Sequence, residues 1–458
     1  MAPRDDSSAA ALDALVAWTT SDAAREVPAA VLARAARVLA DDASAMIGAR
    51  DEPEVAAFHA RVLARAGRPE ATIFRGGRDR TDRLNAAVAN AIAGDWLELD
   101  EGYRITPCHA GLYVVPALMA EAEARDLPLR EVLRALVIAY EIVTRVARAF
   151  PPRELNVHSH ARYAAVGACA ATALARGLSG AELRSALTAA ATLINVGPRN
   201  HLVSGALVRN VWPAMGAWAG MMSVEWSACG IGGAADGLSD VYAGVLGSTP
   251  RPEAFTQGLG EQYAILDGYL KLYACCQHLH SAVEATLDAL PRVVDHGGPD
   301  RVTRIEVDAH PLAQLLPNAH PTTTLGAKFS LPHALAAVLV TGTGGADAFA
   351  YATLHDPAIG RLRERVQMLP YAPLPAPPHD RPARVRLHLA DGAVVETACE
   401  SARGGADRPF PPEMFARKIA ALAGAACPRF AEVTAEAIAL APARLAQGFA
   451  SFVTDWCS

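Results

Sequence analysis

Lysine is rare in this chain, and one lysine stands beside several titratable side chains. Only three of the 42 Lys and Arg residues are lysines. Lys271 is followed, within ten residues, by the thiols of Cys275 and Cys276 and the imidazoles of His278 and His280. Lysine is a compact point charge whose pKa shifts on burial, unlike arginine. This spacing predicts a site that combines a cation with proton-transferring groups; an ordinary surface lysine is the alternative.

A second segment concentrates carboxylates ahead of a histidine. The fifteen positions from Asp95 to His109 hold four carboxylates together with Arg104, after an apolar helix-like run. Carboxylates beside an imidazole can orient it and raise its basicity. The alternative is a solvated loop that caps a helix. The four carboxylates are Asp95, Glu98, Asp100 and Glu101.

Two further segments place polar groups among apolar residues. His158 and His160 stand at the start of an Ala-rich stretch, where the positive end of a helix disfavours protonation of an imidazole. Either histidine could then act as a neutral base or donor, with capping or packing as the alternative. Arg209 lies in an apolar stretch and needs a partner, which is either a substrate carboxylate or a structural Asp or Glu.

Other chemical templates are disfavoured. Cys108 and His109, taken with the Lys271 segment, invite a zinc site, but residues two apart on a helix face different directions. His278 and His280 would therefore not share a metal, and no second metal-ligand pair completes a set. The sequence has no P-loop and no GxSxG elbow. The glycines of residues 230–235 follow helix-like sequence, where a dinucleotide site requires a strand.

Composition narrows the class of protein. The chain has 458 residues, 52% hydrophobic and 20% charged, with a net charge of −6. These values are typical of a soluble protein of about two or three domains. No basic patch indicates nucleic acid, no apolar run is long enough for a membrane span, and the N-terminus lacks the features of a signal peptide. The eight cysteines form no CxxC pair, which favours reduced thiols and a cytoplasmic location.

The hydrophobic period predicts a mainly α protein. Up to about residue 268, apolar residues recur at helical spacing, as in residues 31–47 and 130–150. Residues 161–178 and 181–193 are also helix-like and rich in Ala, which allows close contact between helices. We therefore expect a large helical domain in the first part of the chain.

The period changes near residue 300. Residues 301–308 alternate like a strand, and the stretch around Asp391-Gly392 predicts a hairpin with a type I′ turn. The Pro-rich residues 369–382 predict a loop. The expected domains are a helical domain over residues 1–268, a smaller α+β domain over 269–404, and a helical tail over 405–458 that rejoins the first domain.

Several of these segments, in this order and spacing, resemble the MmgE/PrpD family over nearly the whole chain. The acidic segment that ends at His109 resembles the family's acidic segment. His158, followed by Ala-rich sequence, resembles its His-Pro-Thr segment. Gly205-Ala-Leu-Val-Arg209 resembles its Gly-Thr-Met-Val-Lys segment.

The two most specific resemblances lie further along the chain. Lys271-x-Tyr-x-x-Cys276-x-x-x-His280 resembles the family's Lys-x-Tyr-Pro-x-Cys-x-x-x-His stretch. Lys328-Phe-Ser-Leu resembles its Lys/Arg-Phe-Ser-Leu segment. The resemblance implies an all-helical domain, a smaller α+β lid domain, an active site in the cleft between them, and a homodimer. It also implies no metal and no organic cofactor.

The resemblance further implies roles for individual residues. Glu98 or Asp100 corresponds to the family's catalytic acid, and His109 and His158 to the histidines of its first two segments. Arg209 and Lys271 correspond to its two lysines. The substrate-binding residues expected on this basis are Arg209, Lys271, Arg104, Tyr163, Cys276 and His280.

This chain departs from the family pattern at the expected pocket. Gly102 stands where many members carry Thr, His158-Ser-His160 replaces His-Pro-Thr, and Trp212 replaces a His. These changes argue against 2-methylcitrate as the substrate. Trp212 and Tyr163 favour a bulkier or less polar ligand than citrate.

Proteins of this family act on small di- or tricarboxylates, so the resemblance implies a small carboxylate substrate. We expect a lyase that tolerates carbanion character beside a carboxylate, with His109 or His158 moving the proton and Arg209 and Lys271 holding carboxylates. A hydro-lyase similar to 2-methylcitrate dehydratase is the favoured expectation, followed by a carboxy-lyase. An epimerase that uses the same proton abstraction and a non-catalytic, ligand-binding paralogue remain as alternatives.

Overall fold

The chain is mainly helical, as the sequence predicts. The computed structural model describes residues 6–65 and 67–458. Helices α1 to α9 precede residue 268, in the part predicted to be helical. In the described residues, the helices of eight or more residues are α1 (Asp6–Thr19), α2 (Ala29–Gly48), α3 (Pro53–Leu63), α4 (Arg83–Trp96), α5 (Ala110–Arg125), α6 (Leu129–Ala149), α7 (Ser159–Arg176), α8 (Gly180–Thr192), α9 (Trp212–Ala228), α10 (His280–Asp295), α11 (Leu331–Thr341), α12 (Pro412–Ala423), α13 (Phe430–Ile438) and α14 (Phe449–Trp456).

Helix α6 illustrates why these segments are helical. Its Leu, Val and Ile side chains recur at helical spacing, and the face that they form is buried. Pro128 precedes its first residue, where a missing N–H costs nothing, and Pro151 follows its end. The helix therefore agrees closely with the predicted residues 130–150.

The Ala-rich helices pack closely, as predicted. Helix α9 packs against α7 through small residues. A Cβ added at Gly216 would lie 2.3 Å from the Cβ of Ala164, and one added at Gly220 would lie 2.4 Å from the carbonyl oxygen of Ala165. Any side chain at these two glycines would force the helices apart. The packing holds the N-terminus of α7, which carries His158, in a fixed place.

The smaller domain contains a mixed sheet. Two short strand pairs precede it in the chain, β1 (Ala71–Thr72) with β2 (Arg80–Thr81) and β3 (Gly102–Tyr103) with β4 (Gly268–Tyr269). The strands of the mixed sheet are β5 (Val302–Ala309), β6 (Val366–Pro370), β7 (Ala383–Leu389) and β8 (Val394–Cys399), in the order β6-β5-β7-β8. Strand β6 is parallel to β5, and the other pairs are antiparallel. Helix α10 packs on β7 and β8. The predicted loop over residues 369–382 is wrong at its start, because Leu369 and Pro370 form the end of β6 beside β5.

The predicted hairpin is confirmed, but its turn is not type I′. Such a turn requires positive φ at both central residues, and only Gly392, with φ 89°, adopts it. The carbonyl of Leu389 accepts a hydrogen bond from the N–H of Gly392 at 3.0 Å. The turn therefore closes over residues 389–392, and Gly392, its last residue, adopts the left-handed conformation.

The last helices return to the first part of the chain. Helices α12 and α13 pack on α2, and α14 packs on α5. This packing accords with a tail that rejoins the helical domain, although the three domain boundaries themselves stay predictions. Of the helices within the described residues, none combines the length and the apolar character needed to cross a membrane.

Candidate active site

A short strand pair brings two distant segments of the candidate site together. Strand β3 (Gly102–Tyr103) lies within the acidic segment, directly after its four carboxylates, and β4 (Gly268–Tyr269) precedes Lys271. The two strands are antiparallel, with Gly102 opposite Tyr269. Segments far apart in sequence therefore lie side by side, and the ammonium of Lys271 reaches the carboxylates of the acidic segment.

The acidic segment begins where helix α4 ends, at Trp96. Glu98 adopts φ 54°, in the left-handed region that residues with a side chain rarely occupy. Such backbone costs on the order of 1–3 kcal/mol and persists only where the surroundings enforce it. Here the Glu98 carboxylate is held on both sides, by Arg209 at 2.5 Å and by Lys271 at 3.1 Å.

All three lysines of the chain are buried around this one segment. Lys271 contacts the carboxylates of Glu98 and Asp100, both at 3.1 Å. Lys328 donates to the carbonyl of Trp96 at 2.7 Å. Lys418 donates to the carbonyl of Leu99 at 2.9 Å. Each lysine thus lies where a compact ammonium fits between buried oxygens, and the other basic side chains of the sequence are arginines.

The cations of the site are paired with carboxylates of the protein. One terminal nitrogen of Arg209 lies 2.6 and 2.7 Å from the two oxygens of Asp95. Burial would lower the pKa of Lys271, but Asp100 and Glu98 outweigh it and raise that pKa well above its ordinary value. Three carboxylates therefore face two fixed cations, in a region where both side chains of each pair are almost fully buried.

His109 and Asp100 form a hydrogen-bonded pair. His109 directly precedes helix α5, and its Nδ1 lies 2.7 Å from Oδ2 of Asp100. Burial alone would raise the pKa of Asp100, but Lys271 and His109 hold it below its usual range. The ionised carboxylate accepts from Nδ1, which orients the ring and leaves Nε2 for proton transfer.

His158 and His160 form a second, neutral pair of imidazoles. His158 caps helix α7, and its Nδ1 accepts from the backbone N–H of His160 at 3.3 Å. His160 lies between the Asp95 carboxylate, 3.0 Å from Nε2, and the Tyr113 hydroxyl, 2.8 Å from Nδ1. Burial and nearby cations, including Arg209, hold the pKa of both histidines well below the ordinary value. The sequence predicted the direction of this shift from the helix end, but burial is its main cause, and His158 also caps the helix, which was the alternative.

A cavity of about 120 Å³ opens onto this cluster. Its wall includes most of the residues predicted from the sequence. Asp100 does not line the cavity itself, but its carboxylate is hydrogen-bonded to His109, which does. The predicted residues in the wall are Glu98, His109, His158, Tyr163, Arg209, Lys271 and Cys276.

Two predicted substrate-binding residues lie outside the wall of the cavity. Arg104 donates to the carbonyl of Pro378 and to Asp380, at 3.1 and 3.3 Å. His280 begins helix α10, and its Nε2 lies 3.1 Å from the carbonyl oxygen of Cys275. Both side chains are therefore occupied by the protein in places that the cavity does not reach.

Two of the residues that depart from the family pattern can be understood from their neighbours in the structure. A Cβ at Gly102 would lie 2.4 Å from the hydroxyl of Tyr269, so the phenol occupies the space of the family's Thr. Trp212 packs its ring 5.7 Å from that of His158 and does not line the cavity. Its size therefore supports His158 and gives no ground for a bulkier ligand.

Sequence reasoning missed several residues of the site. Asp95 and His160 were noticed in their segments but were not among the predicted catalytic or substrate-binding residues, although both are fully buried beside them. The scarcity of lysine could have indicated the region of Asp95, because Lys328 donates a hydrogen bond to Trp96, the last residue of the helix that contains Asp95. The cavity wall also includes Tyr269, Arg199 and Arg381, which were not singled out, and His278, which was noticed but not placed in the site.

A second pair of buried carboxyl groups lies next to Asp100. Oδ1 of Asp42 accepts from the backbone N–H of Glu101 at 3.0 Å. Glu101 itself accepts from the hydroxyl of Tyr140 at 2.5 Å and from the N–H of Gly111 at 3.0 Å. Burial raises the pKa of Asp42 well above its ordinary value and that of Glu101 to about 8. Glu101 is therefore protonated at neutral pH.

Glu101→Gln is expected to flatten the dependence of stability on pH. The unfolded chain ionises Glu101 near its ordinary pKa of 4.5, whereas the folded protein keeps the proton up to about pH 8. Between these values the folded state binds more protons, so the free energy of unfolding falls as the pH rises. From pH 5 to 8 this group contributes a fall of roughly 2–4 kcal/mol. Urea unfolding at both pH values measures it, and an equal fall in the variant and the wild type would contradict the assignment.

The fold and the cavity define a two-domain, largely helical protein whose pocket combines histidines with paired carboxylates and cations. The MmgE/PrpD N-terminal domain matches residues 13–254, and the MmgE/PrpD C-terminal domain matches residues 273–445. The chain therefore belongs to the MmgE/PrpD family, as the sequence motifs predicted.

Curated relatives are fungal enzymes named as decarboxylases, a class of lyase. The chain is 26% identical to the cis-aconitate decarboxylase-like protein oryM of Aspergillus oryzae, over 70% of this chain and 71% of the relative. It is 24% identical to a cis-aconitate decarboxylase of Aspergillus terreus, over 89% of this chain and 88% of the relative. A second Aspergillus terreus enzyme of that name, from strain NIH 2624, is also 24% identical.

Proposed function

We propose that the protein is a lyase that acts on a small polycarboxylate, with decarboxylation as its reaction. One observation carries the proposal: His109, fixed by Asp100 at 2.7 Å, lines a cavity that also receives Lys271. The names of the fungal relatives favour loss of CO2 over loss of water, and cis-aconitate is the substrate to test first.

The proposed step is balanced by one proton from His109. The bond between the leaving carboxylate and its carbon breaks, and its electron pair shifts through the adjacent double bond. The carbon beside a second carboxylate then takes a proton from Nε2 of His109. A tricarboxylate trianion and one proton thus give CO2 and an unsaturated dicarboxylate dianion. Water returns a proton to His109 after the product has left.

Lys271 supports this step with its remaining donor. An ammonium has three N–H donors, and two of them are directed at Glu98 and Asp100. The third is free for the carboxylate at which negative charge develops in the transition state. A charge-assisted hydrogen bond in a buried site stabilises that charge more than it would in water.

His158 has a different role in this proposal. Its pKa is held well below the ordinary value by burial and by neighbouring imidazoles and Arg209, so it stays neutral near pH 7. Because Nδ1 accepts the helix N–H, the ring proton is on Nε2. A neutral imidazole of this kind donates a hydrogen bond to the substrate but does not deliver the catalytic proton.

Dehydration is the second candidate reaction, and Tyr269 is the observation that favours it. Burial raises the pKa of Tyr269, so its phenol keeps the proton, and the residue lines the cavity. A leaving hydroxyl needs a proton donor of its own in addition to the base that removes the α-proton. Tyr269 could be that donor, with His109 as the base.

The purified protein should be incubated in D2O with cis-aconitate and, separately, with 2-hydroxy tricarboxylates such as citrate. Release of CO2 from cis-aconitate, with one deuterium entering the product, is the expected result. Formation of an alkene from a 2-hydroxy acid without CO2 would replace decarboxylation by dehydration. Deuterium in recovered or epimerised substrate alone would favour an epimerase. No reaction with any of these acids would contradict the lyase proposal.

A further inference from the structure

The cavity has positive charge that the cluster around His109 does not account for. Lys271 and Arg209 are already matched there by carboxylates of the protein. A substrate carboxylate bound only by these two cations would have to compete with buried ion pairs. Recognition of an anionic ligand therefore calls for cations elsewhere in the wall.

Arg381 and Arg199 are such cations, and each comes from a different part of the chain. Arg381 precedes strand β7, is 13% exposed, and approaches a carboxylate only at 3.9 Å, to Asp380. That aspartate is closer to Arg104, at 3.3 Å. Nε of Arg381 is buried, and no described residue forms a hydrogen bond with it. Within residues 6–65 and 67–458, no side chain forms a hydrogen bond or an ion pair with the guanidinium of Arg199.

His278 stands with these two arginines in the wall of the cavity. Its Nδ1 is buried without a hydrogen-bond partner. The pKa of His278 is held well below its ordinary value by burial and then by Arg381, His310 and Arg199. The pKa of Arg381 is lowered by burial and by Arg104. The positive potential in this part of the cavity is thus only weakly compensated by the protein.

We propose that Arg381, Arg199 and His278 form the binding site for a substrate carboxylate that does not react. A guanidinium can hold a carboxylate through two parallel hydrogen bonds, which fixes its orientation as well as its charge. The inference rests on the proposed function, since its ligand is the same small polycarboxylate. It adds that the substrate carries at least two carboxylates, one at this site and one near Lys271.

The two charged regions belong to one cavity. Tyr269, Lys271 and Arg381 all line it, and both cations act to lower the pKa of the Tyr269 phenol. Cys276 and Gln277 continue the wall toward His278. A ligand with one carboxylate at each region would therefore lie within the cavity that His109 also lines.

The test is binding of tricarballylate, a saturated tricarboxylate that can lose neither CO2 nor water readily. Isothermal titration should compare the wild type with Arg381→Gln, Arg381→Lys and Arg199→Gln. Arg384→Gln is the matched control, because Arg384 lies three residues further on, is 41% exposed, faces Asp308 at 3.6 Å and does not line the cavity.

Arg381→Gln is expected to raise the Kd about 10- to 100-fold, the effect of losing a charge-assisted hydrogen bond. The Kd of Arg381→Lys should lie between those of the wild type and Arg381→Gln. Arg384→Gln should bind tricarballylate like the wild type. Without ligand, Arg381→Gln should melt no lower than the wild type, because its charge has no close partner. A merely structural arginine would lower that melting temperature.

Unchanged affinity in Arg381→Gln would overturn the inference, and so would a wild type that binds no tricarballylate at millimolar concentration. Because the probe does not react, these results do not depend on turnover. Binding that requires Arg381, in a protein that turns over no carboxylate, would leave this binding site standing and remove the proposed reaction. The two proposals therefore fail separately.

Discussion

His109→Gln is expected to lower kcat by roughly 10²- to 10⁴-fold, the usual contribution of a general acid or base. Glutamine preserves a hydrogen-bonding group at the position but cannot deliver a proton. The His109 side chain is 15% exposed and, among the described residues, forms one hydrogen bond, from Nδ1 to Asp100, so the substitution should leave the fold intact. Steady-state kinetics with the substrate found in the D2O experiment, together with circular dichroism, make the measurement.

His296 provides a matched control for this substitution. It forms the same kind of pair, with Nδ1 2.8 Å from Oδ2 of Asp391, but at the surface and away from the cavity. His296→Gln should change kcat by no more than about twofold, as surface substitutions usually do. If His109→Gln kept more than about a tenth of the activity, His109 would not be the proton-transfer group.

Lys271→Met is expected to lower the free energy of unfolding by about 3–5 kcal/mol, the usual effect of leaving a buried charge without its partner. Lys271 is fully buried, and both Glu98 and Asp100 would lose their shared cation. Turnover should fall as well, because Asp100 would no longer be held for His109. Urea unfolding followed by fluorescence measures the loss of stability.

Two further variants test the physical reason for this effect. Lys271→Met combined with Glu98→Gln should recover part of the stability, because it neutralises one of the three carboxylates that would otherwise face Arg209 as their one fixed cation. Lys328→Met should cost less, about 1–3 kcal/mol, because Lys328 is bonded to the neutral carbonyl of Trp96. A larger loss for Lys328→Met than for Lys271→Met would contradict the role assigned to the ion pairs.

The sequence was sufficient to predict the helices because their signal is local. The apolar spacing and the flanking prolines of α6 set its limits without help from the rest of the chain. Strand β6 was missed because its pairing with β5 is not local, and its end runs into Pro370. The type I′ turn predicted at Asp391-Gly392 was wrong, because the loop is longer than two residues and needs positive φ at Gly392 alone.

The site was predictable as a set of residues but not as a set of contacts. Motifs indicated His109, Lys271 and Arg209, and the cavity receives all three. Which carboxylate holds which cation depends on the pairing of β3 with β4, and no local pattern encodes it. The same limitation applies to Arg381, which stands in a Pro-rich stretch without any motif. The role of the smaller domain as a lid, the homodimer and the cytoplasmic location stay predictions.

The rarity of lysine was the most useful compositional feature, and it was used too narrowly. Lys271 was taken as one exceptional residue of a catalytic stretch. In the structure, Lys271, Lys328 and Lys418 all bind the segment between Trp96 and Asp100. Their shared target follows from the need to hold a strained, acidic turn in a buried place.

The central claim is that His109 and Asp100 act as one unit in proton transfer. A double-mutant cycle of kcat for the wild type, Asp100→Asn, His109→Gln and the double variant tests it most directly. We expect each single variant to lose at least about 100-fold and the double variant to be no slower than His109→Gln within about threefold. If the two losses multiplied instead, the residues would act independently, and the account would be wrong.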